Sequence, residues 1–437
     1  MLSGKKVLVL GLAKSGKAAV ELLSAVHVTI TVNEFALQEQ IECYDEYIAR
    51  GIEMIVGGHP DDLFERDFDF VVKNPGINYH KPFVLRLKER GIPVYTEIEL
   101  AYRLSQPQNY IAITGTNGKT TTVTLIRDIL KNAGRQVCLA GNVGTPLSEL
   151  VLNEDLLHKS DYDVVLEMSN FQLLDIDAFH PRVATIINLT PDHLDYMASL
   201  EEYYTSKTRI YMNQDHNDIY LQNKDDVVLK EYLQKYPPQA KIVSFSLEQE
   251  ADCMIKNDAI YYQGQHIINL DDIKIVGRHN IQNMMIAICA CIHSGIDVQS
   301  IHDTLAAFTG VEHRIEFVRE YQGVKYYNDS KATNTDAAII ALKSFEKRPK
   351  IIFLSSAGVY GNPKQLPITE KDALAPISPY GVHKQMGEEL CSYYNRVHGY
   401  HIRCVRIFSA YGSGLRKQLL WDIYQKYLNT GRIDLFG

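Results

Sequence analysis

The sequence predicts an α/β protein. Its expected parts are a Rossmann-like N-terminal domain, a central P-loop ATPase-type parallel α/β domain, and a truncated or hybrid α/β C-terminal domain. Three observations carry this. Over residues 5–104, apolar runs of strand length alternate with segments of helical period. At 110–130 an apolar strand, a glycine turn and an amphipathic helix follow one another. That geometry presents backbone N–H groups and a helix N-terminus to an anion. Past residue 350 the alternation resumes with a different set of motifs.

The totals set bounds. A chain of 437 residues holds about three domains at ~150 residues each. The net charge of −8 argues against a general nucleic-acid binder, so any anion site must be local. No apolar run approaches the ~18 residues of a membrane span. Residues 1–12 are broken by glycine too early for a signal peptide and read as a first strand. The seven cysteines are scattered. Cys289 and Cys291 form a close pair inside an apolar helical stretch, as buried free thiols rather than a metal site. Cysteine usage of this kind fits a reducing, cytoplasmic compartment.

In chain order, 5–10 is a strand, 11–16 a glycine turn, 17–25 a helix, and 28–32 a second strand ending in Asn33-Glu34. An acidic residue there can meet a ribose hydroxyl. The dinucleotide fingerprint fails, because Gly11-Leu-Ala-Lys-Ser-Gly16 has alanine in place of its second glycine. NAD is therefore not expected at Gly11, Lys14, Ser15, Asn33 and Glu34, where a nucleotide-sugar diphosphate or a purely structural turn fits better. Asn74-Pro-Gly-Ile77 closes a later strand.

The central motif is Gly115-Thr-Asn-Gly-Lys-Thr-Thr121, with Ile113 where a general P-loop has its first glycine. Gly115 and Gly118 allow close backbone approach, Lys119 reaches terminal phosphates, and the Thr120 hydroxyl can ligate Mg²⁺. Glu167 ends the strand 163–167, where a second acidic residue meets the metal of a P-loop site. Asp192, His193 and Asp195 follow the strand 184–189 on a loop at the ligand edge of the sheet. Lys207 stands alone on a helix at 203–210, which by itself reads as a surface charge. Asp329 and Lys331 follow a later strand like a ribose and phosphate pair.

Together these residues resemble the Mur ligase family over about residues 1–350. The motifs that carry it are Asn74–Ile77, the P-loop, Glu167-Met-Ser-Asn-Phe-Gln-Leu173, Asn188-Leu-Thr-Pro-Asp-His-Leu-Asp195, Gly277-Arg-His-Asn280, His313-Arg314 and Asn328-Asp-Ser-Lys-Ala-Thr-Asn334. Ser169-Asn170 replaces the family's usual Ser-Ser. The resemblance is to the branch that adds D-glutamate to UDP-N-acetylmuramoyl-L-alanine through an acyl phosphate, and it implies that reaction, in peptidoglycan precursor synthesis.

The resemblance implies ATP and two Mg²⁺ sites. Thr120 and Glu167 would hold one metal; His193 and Lys207 would hold the other, with the lysine carbamylated in the family. The P-loop residues Gly115, Thr116, Asn117, Gly118, Lys119, Thr120 and Thr121 would bind ATP, with Asn280, Arg314, Asp329 and Lys331 also contacting the nucleotide. Asn74 and Ser169 would meet the UDP-linked substrate alongside the first-domain residues, and Asn142 would meet that substrate or the γ-phosphate. A monomer without membrane or nucleic-acid partners is implied. The expected divisions are 1–98 for the UDP substrate, 99–310 for ATP, 311–350 for the start of a third domain, and 351–437.

That last stretch departs. The third-domain loop and the serine-rich stretch that help bind D-glutamate in the family are missing. Instead 351–361 is a strand running into a serine loop, Ser378-Pro-Tyr-Gly-Val-His-Lys384 opens a helix, and Arg406-Ile-Phe-Ser-Ala-Tyr-Gly412 follows a third strand. Tyr380 and Lys384 share a helix face, where the ammonium can lower the phenol pKa. The spacing alone carries little, since Tyr203…Lys207 and Tyr321…Lys325 repeat it. With Ser356 and Val359-Tyr-Gly361 it resembles the second half of an NAD-dependent sugar-nucleotide epimerase/dehydratase, with serine at 409 in place of an asparagine.

The chain thus reads as a join of two incomplete enzymes near 345–354, where both families have a parallel strand. Besides the ligase, two other readings stay open: an epimerase or reductase acting through Ser356, Tyr380 and Lys384, and an ATP-binding module without turnover. The last ~90 residues are expected to be the least stable, because a half-sheet leaves an open edge and an uncovered face.

Overall fold

The computed structural model describes residues 4–142, 144–191, 197, 199–332, 335–345, 347–363, 365–410, 412, 419–430 and 432. The chain divides into two compact units, 1–344 and 345–437.

The first unit contains two large sheets. The N-terminal one is built from β1 (Lys6–Leu10), α1 (Lys14–Ala25), β2 (Thr29–Glu34), α2 (Tyr44–Ala49), β3 (Glu53–Val56), β4 (Phe70–Lys73), α3 (Pro82–Glu89) and β5 (Val94–Tyr95). Its strand order is β3-β2-β1-β4-β5, all parallel. β1 and β4 are near-continuous apolar runs because both faces of a parallel sheet are covered. Helix α1 starts three residues earlier than the glycine turn suggests, so Lys14, Ser15 and Gly16 lie in its first turn. Only glycine fits at 16, since a Cβ there would lie 1.9 Å from the Gly11 carbonyl oxygen.

Helix α4 (Glu97–Leu104), capped by the Thr96 hydroxyl, leads into the central sheet. Its elements are β6 (Asn109–Thr114), α5 (Lys119–Asn132), β7 (Val137–Gly141), α6 (Leu147–Asn153), β8 (Asp163–Glu167), α7 (Asn170–Leu173), β9 (Val183–Ile186), α8 (Leu200–Thr208), β10 (Ile219–Asn223), α9 (Val227–Lys235), β11 (Lys241–Ser246), β12 (Cys253–Lys256), β13 (Ala259–Tyr262) and β14 (Gln265–Asn269). The order is β14-β13-β12-β11-β10-β9-β6-β8-β7. The strands are parallel except for the β12–β13–β14 meander.

After it come α10 (Arg278–His293), α11 (Val298–Ala307), the hairpin β15 (Glu316–Tyr321) and β16 (Val324–Asn328), and α12 (Thr335–Lys343). Helices α5 and α10 pack on one face of the central sheet through Val123, Ile126, Met284 and Ile288, all fully buried. Each such side chain contributes roughly 1.5–3 kcal/mol on burial. The other face shares a continuous core with the first sheet, from Val7 and Val72 to Tyr110 and Leu166. Cys289 and Cys291 are buried free thiols.

The second unit has β17 (Ile351–Ser356), α13 (Pro379–His398), β18 (Ile402–Ile407) and α14 (Leu419–Thr430). Its two strands pair in parallel. Among the described residues no helix is long and apolar enough to cross a membrane.

Candidate active site

β6 lies inside the central sheet between β9 and β8, and its carboxyl end opens into residues 115–118. Gly118 caps α5 at φ +87°, a left-handed conformation that favours glycine. A Cβ at Gly118 would also fall 2.5 Å from Asn283 Oδ1. The Thr116 and Asn117 amides both donate to Asn188 Oδ1, at 3.1 and 2.9 Å. Asn188 Nδ2 returns a bond to the Asn117 carbonyl. On the other flank Asn283 accepts from the Thr122 hydroxyl and donates to Asn280 Oδ1. Asn280 in turn donates to the Val276 carbonyl. The loop is therefore held in shape from β9 on one side and from α10 on the other.

The chemistry-bearing side chains meet at this loop. Lys119 Nζ donates to the Gly115 and Thr116 carbonyls, at 2.8 and 2.9 Å. This sets its charge over the loop at the N-terminus of a 14-residue helix. Thr120 Oγ1 donates to Glu167 Oε2 at 2.9 Å, and Asn142 Nδ2 donates to Glu167 Oε1 at 3.0 Å. A hydroxyl and a carboxylate at hydrogen-bond distance are the hard oxygen donors that Mg²⁺ takes, so this pair fits the expected metal.

Lys207, expected from its helix alone to be a surface charge, is 2 % exposed. Its Nζ donates to the Gly115 carbonyl at 3.2 Å and lies 4.6 Å from the Tyr203 ring centre. Tertiary packing overrides the local reading, because α8 buries five residues from 203 to 208. Asp192, His193 and Asp195 lie outside the described residues. Among the described residues no group of three or more His, Cys, Asp or Glu side chains is placed to hold a metal ion.

The first-sheet candidates cluster at the carboxyl end of β1, β2 and β4. The Glu34 carboxylate accepts from the Leu12 and Ala36 amides, at 2.6 and 3.1 Å. Asn33 is fully buried. Its Nδ2 donates to the Ile55 and Gly58 carbonyls, while Oδ1 faces His59 Nδ1. The Glu34 side chain thus shapes the turn at 11–16, where Gly11 N also donates to the Asn33 backbone carbonyl, while the Asn33 side chain ties the end of β2 to the segment after β3. Asn74 Nδ2 donates to Ser15 Oγ at 3.0 Å. Lys14 Nζ donates to the Gly144 carbonyl at 2.7 Å, which links the first turn to the loop that carries Asn142. Ser169 caps α7, accepting from Gln172 N.

Arg314, Asp329 and Lys331 gather around the hairpin β15–β16. Asp329 Oδ1 accepts from Ile315 N, and Lys331 N donates to the His313 carbonyl. Burial raises the Asp329 pKa while Arg314 pulls it down. Beside the P-loop flank, burial pushes His279 down to about 4, so its ring is neutral.

In the second unit, Ser356 Oγ accepts from Gly358 N. Lys384 Nζ donates to the Leu354 carbonyl and lies 5.6 Å from the Tyr380 ring centre. The expected pair does share a face, with Tyr380 largely exposed.

Two residues at the site escaped single notice in the sequence, Asn188 and Asn283. Each had a signal: Asn188 directly follows an apolar strand, and Asn283 lies three residues beyond Asn280 on one helix face.

The parallel sheet and its glycine loop place the first unit in the class of P-loop α/β proteins. Family profiles match in chain order: the Mur ligase MurD-like N-terminal domain over 5–96, the Mur ligase middle domain over 113–291, and the NAD dependent epimerase/dehydratase family over 300–433. The chain is 40 % identical over 365 residues to a UDP-N-acetylmuramoylalanine--D-glutamate ligase of Streptococcus thermophilus, covering 83 % of this chain and 79 % of that one. The enzyme of the same name from Streptococcus uberis is also 40 % identical, over 361 residues, covering 82 % and 78 %.

Among solved structures, UDP-N-acetylmuramate-alanine ligase MurC from Thermotoga maritima matches at TM-score 0.50 and 20 % identity, over 92 % of this chain and 91 % of that one. MurF from Acinetobacter baumannii matches at TM-score 0.51 and 13 % identity, over 91 % and 84 %. These two show the fold alone.

The chain belongs to the Mur ligase family, whose members are ATP-dependent ligases. The epimerase match reaches further toward the N-terminus than residue 351. The ligase similarity is too long to end before residue 300, so the two overlap.

Proposed function

We propose that the chain joins D-glutamate to UDP-N-acetylmuramoyl-L-alanine at the expense of ATP. The observation that carries this is the convergence of Thr120, Asn142 and Glu167 beside Lys119 at the P-loop, in a chain whose relatives bear that activity in their names.

The substrate carboxylate attacks the γ-phosphorus, giving an acyl phosphate and ADP. The D-glutamate amine then attacks the acyl carbon, and phosphate leaves as the amide forms. Lys119 and the loop amides stabilise charge on the transferring phosphoryl group. Thr120 and Glu167 would hold Mg²⁺, which supplies further charge neutralisation there. Asn142 orients Glu167. In the first sheet Gly11, Lys14, Ser15, Asn33, Glu34 and Asn74 frame the UDP moiety, with Ser169 facing the substrate from the central sheet. Asn280, Arg314, Asp329 and Lys331 contact the nucleotide.

The finer reading assigns Lys207 and His193 to a second metal. The Lys207 ammonium would lose one proton, and the amine so formed would add carbon dioxide and lose a second, exchanging a cation for a carboxylate-like carbamate. Residues 1–98 then serve the UDP substrate, 99–310 serve ATP, and 311–350 begin the third domain. The setting is cytoplasmic.

The test is phosphate release from Mg-ATP with UDP-N-acetylmuramoyl-L-alanine, with and without D-glutamate. Release that depends on D-glutamate is the expected result. ATP binding without release under either condition favours a nucleotide-binding module. Lys119→Ala abolishes ATP binding; wild-type affinity in that variant removes the P-loop assignment.

A further inference from the structure

The turn that follows α7 is gripped by charge from three elements. Asp175 lies in this turn, and its side chain is 1 % exposed. Its Oδ1 accepts from Lys88 Nζ of α3 at 2.7 Å. Its Oδ2 lies 3.3 Å from Nζ of Lys73, the last residue of β4, whose side chain is 2 % exposed. On the other side Arg209, two residues beyond Lys207, donates to the Leu173 and Ile176 carbonyls, at 2.8 and 2.5 Å. The Asp175 carbonyl itself accepts from Thr96 N at 3.2 Å, the residue that caps α4.

A buried ion pair is a weak explanation for stability. Its desolvation cost offsets much of the attraction, and apolar replacements are often neutral or better. Burial pushes the Lys73 pKa down, and Asp175 is what pulls it back up. The Lys73 ammonium therefore depends on this carboxylate. Its second task is local: Lys73 Nζ donates to the Ile77 carbonyl at 2.9 Å, closing the loop 74–77 on itself. That loop carries Asn74, whose side chain donates to Ser15 Oγ and accepts from Gly76 N. The other arm reaches the nucleotide side. Arg209 fixes the segment around Asp175 to the end of the helix whose Lys207 bonds Gly115, and α7 begins three residues after Glu167.

We propose that Asp175 is a positioning residue, the buried carboxylate that sets the loop 74–77 of the UDP-substrate side against the Glu167 and Lys207 side of the ATP site. The identity of the ligands rests on the ligase reading above. Asp175 touches neither ligand; it acts through Lys73 and the loop.

The experiment measures calorimetric binding of UDP and, separately, of Mg-ATP to the full chain. The proteins are wild type, Asp175→Asn, and the double variant Lys73→Met with Asp175→Leu, each with its melting temperature. Asp175→Asn is expected to weaken UDP about tenfold and ATP less than about twofold. The double variant refills the site with apolar volume. It is expected to recover the wild-type melting temperature while keeping the weakened UDP binding. Wild-type UDP affinity in a double variant that melts like wild type overturns the proposal, as does equal loss of UDP and ATP in both variants. Failure of the wild-type chain to bind UDP at all is a different result. It removes the UDP-substrate reading and takes this proposal with it.

Discussion

Glu97 opens α4, the helix that leads from the first sheet to the central one, and it is fully buried. Its Oε1 accepts from the Ser148 amide in the first turn of α6. Burial pushes its pKa from 4.5 to about 7, against the pull of the Ser148 bonds and with a smaller push from Glu149. At 1.36 kcal/mol per pKa unit, a rise of about 2.5 units corresponds to about 3 kcal/mol. The sign follows from linkage. Below pH 4.5 the carboxyl is protonated folded and unfolded, and the contribution is complete. Between 4.5 and 7 the folded state holds the extra proton, so stability falls as pH rises, and above 7 the full cost remains.

Glu97→Gln keeps a neutral acceptor for Ser148 and cannot ionise. Urea unfolding followed by far-UV circular dichroism should therefore place Glu97→Gln close to wild type near pH 4.5, and more stable by up to about 3 kcal/mol at pH 8. A variant whose difference from wild type is the same at both pH values would refute the reasoning.

Gly118→Ala combines a left-handed φ with displacement of Asn283, whereas Gly134→Ala has a similar φ of +79° and open space around the new Cβ. Both should lose about 1–2 kcal/mol of stability from backbone strain, but only Gly118→Ala should lose ATP affinity in a calorimetric titration. Thr120→Val and Glu167→Gln should each reduce the Mg²⁺ dependence of ATP binding, with little change in melting temperature for Thr120→Val. Trp421, the single tryptophan, lies in the second unit. Its fluorescence should therefore change at lower urea than far-UV circular dichroism, which is dominated by the first unit; coincident curves would contradict the weaker stability argued for residues 345–437.

Legibility in the sequence followed how local each signal was. The strand–glycine–helix motif at 109–132 is a contiguous pattern and reads directly, and so does its link to Glu167 at the end of a neighbouring strand. The region 211–276 carries no chemical motif, yet it supplies β10 to β14. Its signals were there in turn chemistry. Asn257-Asp258 and Gln263-Gly264 all adopt positive φ between antiparallel strands, the form that two-residue hairpins demand. Lys207 was unreadable for the opposite reason. Nothing in the sequence of α8 says which face is covered, and burial of the lysine depends on Gly115, 92 residues away in the chain. The first three residues of α1 are hidden in the sequence because glycine at 16 looks like a breaker, when its role is to let the helix start pass close to the Gly11 carbonyl.

The second unit separates two kinds of rule. Every local one is obeyed there. Ser378 caps α13 through the Gly381 amide, Pro379 takes the first helical position, and Gly399 ends the helix in a left-handed conformation. Phe353 packs so closely on α13 that a Cβ at Gly387 would lie 2.6 Å from its ring, and Glu388 pairs with Arg406 and Ser355. The alternate residues of the two strands point the other way, and there Ile352 is 63 % and Leu354 48 % exposed, with Val405 and Ile407 beside them. A parallel sheet is stable when both faces are covered, and among the described residues it is α13 that packs on the two strands, on the Phe353 face. Motifs are short and local; covering both faces of a sheet takes more elements than a motif carries. That is why two families can be read in one chain without a break in its apolar pattern. It also divides the expected function. The P-loop, Glu167, Lys207 and the cluster at Arg314, Asp329 and Lys331 all precede residue 345, so ATP binding should not depend on the second unit. The ligase motifs expected to serve the acceptor amino acid are the ones missing past residue 350, so dependence on D-glutamate is the step expected to change.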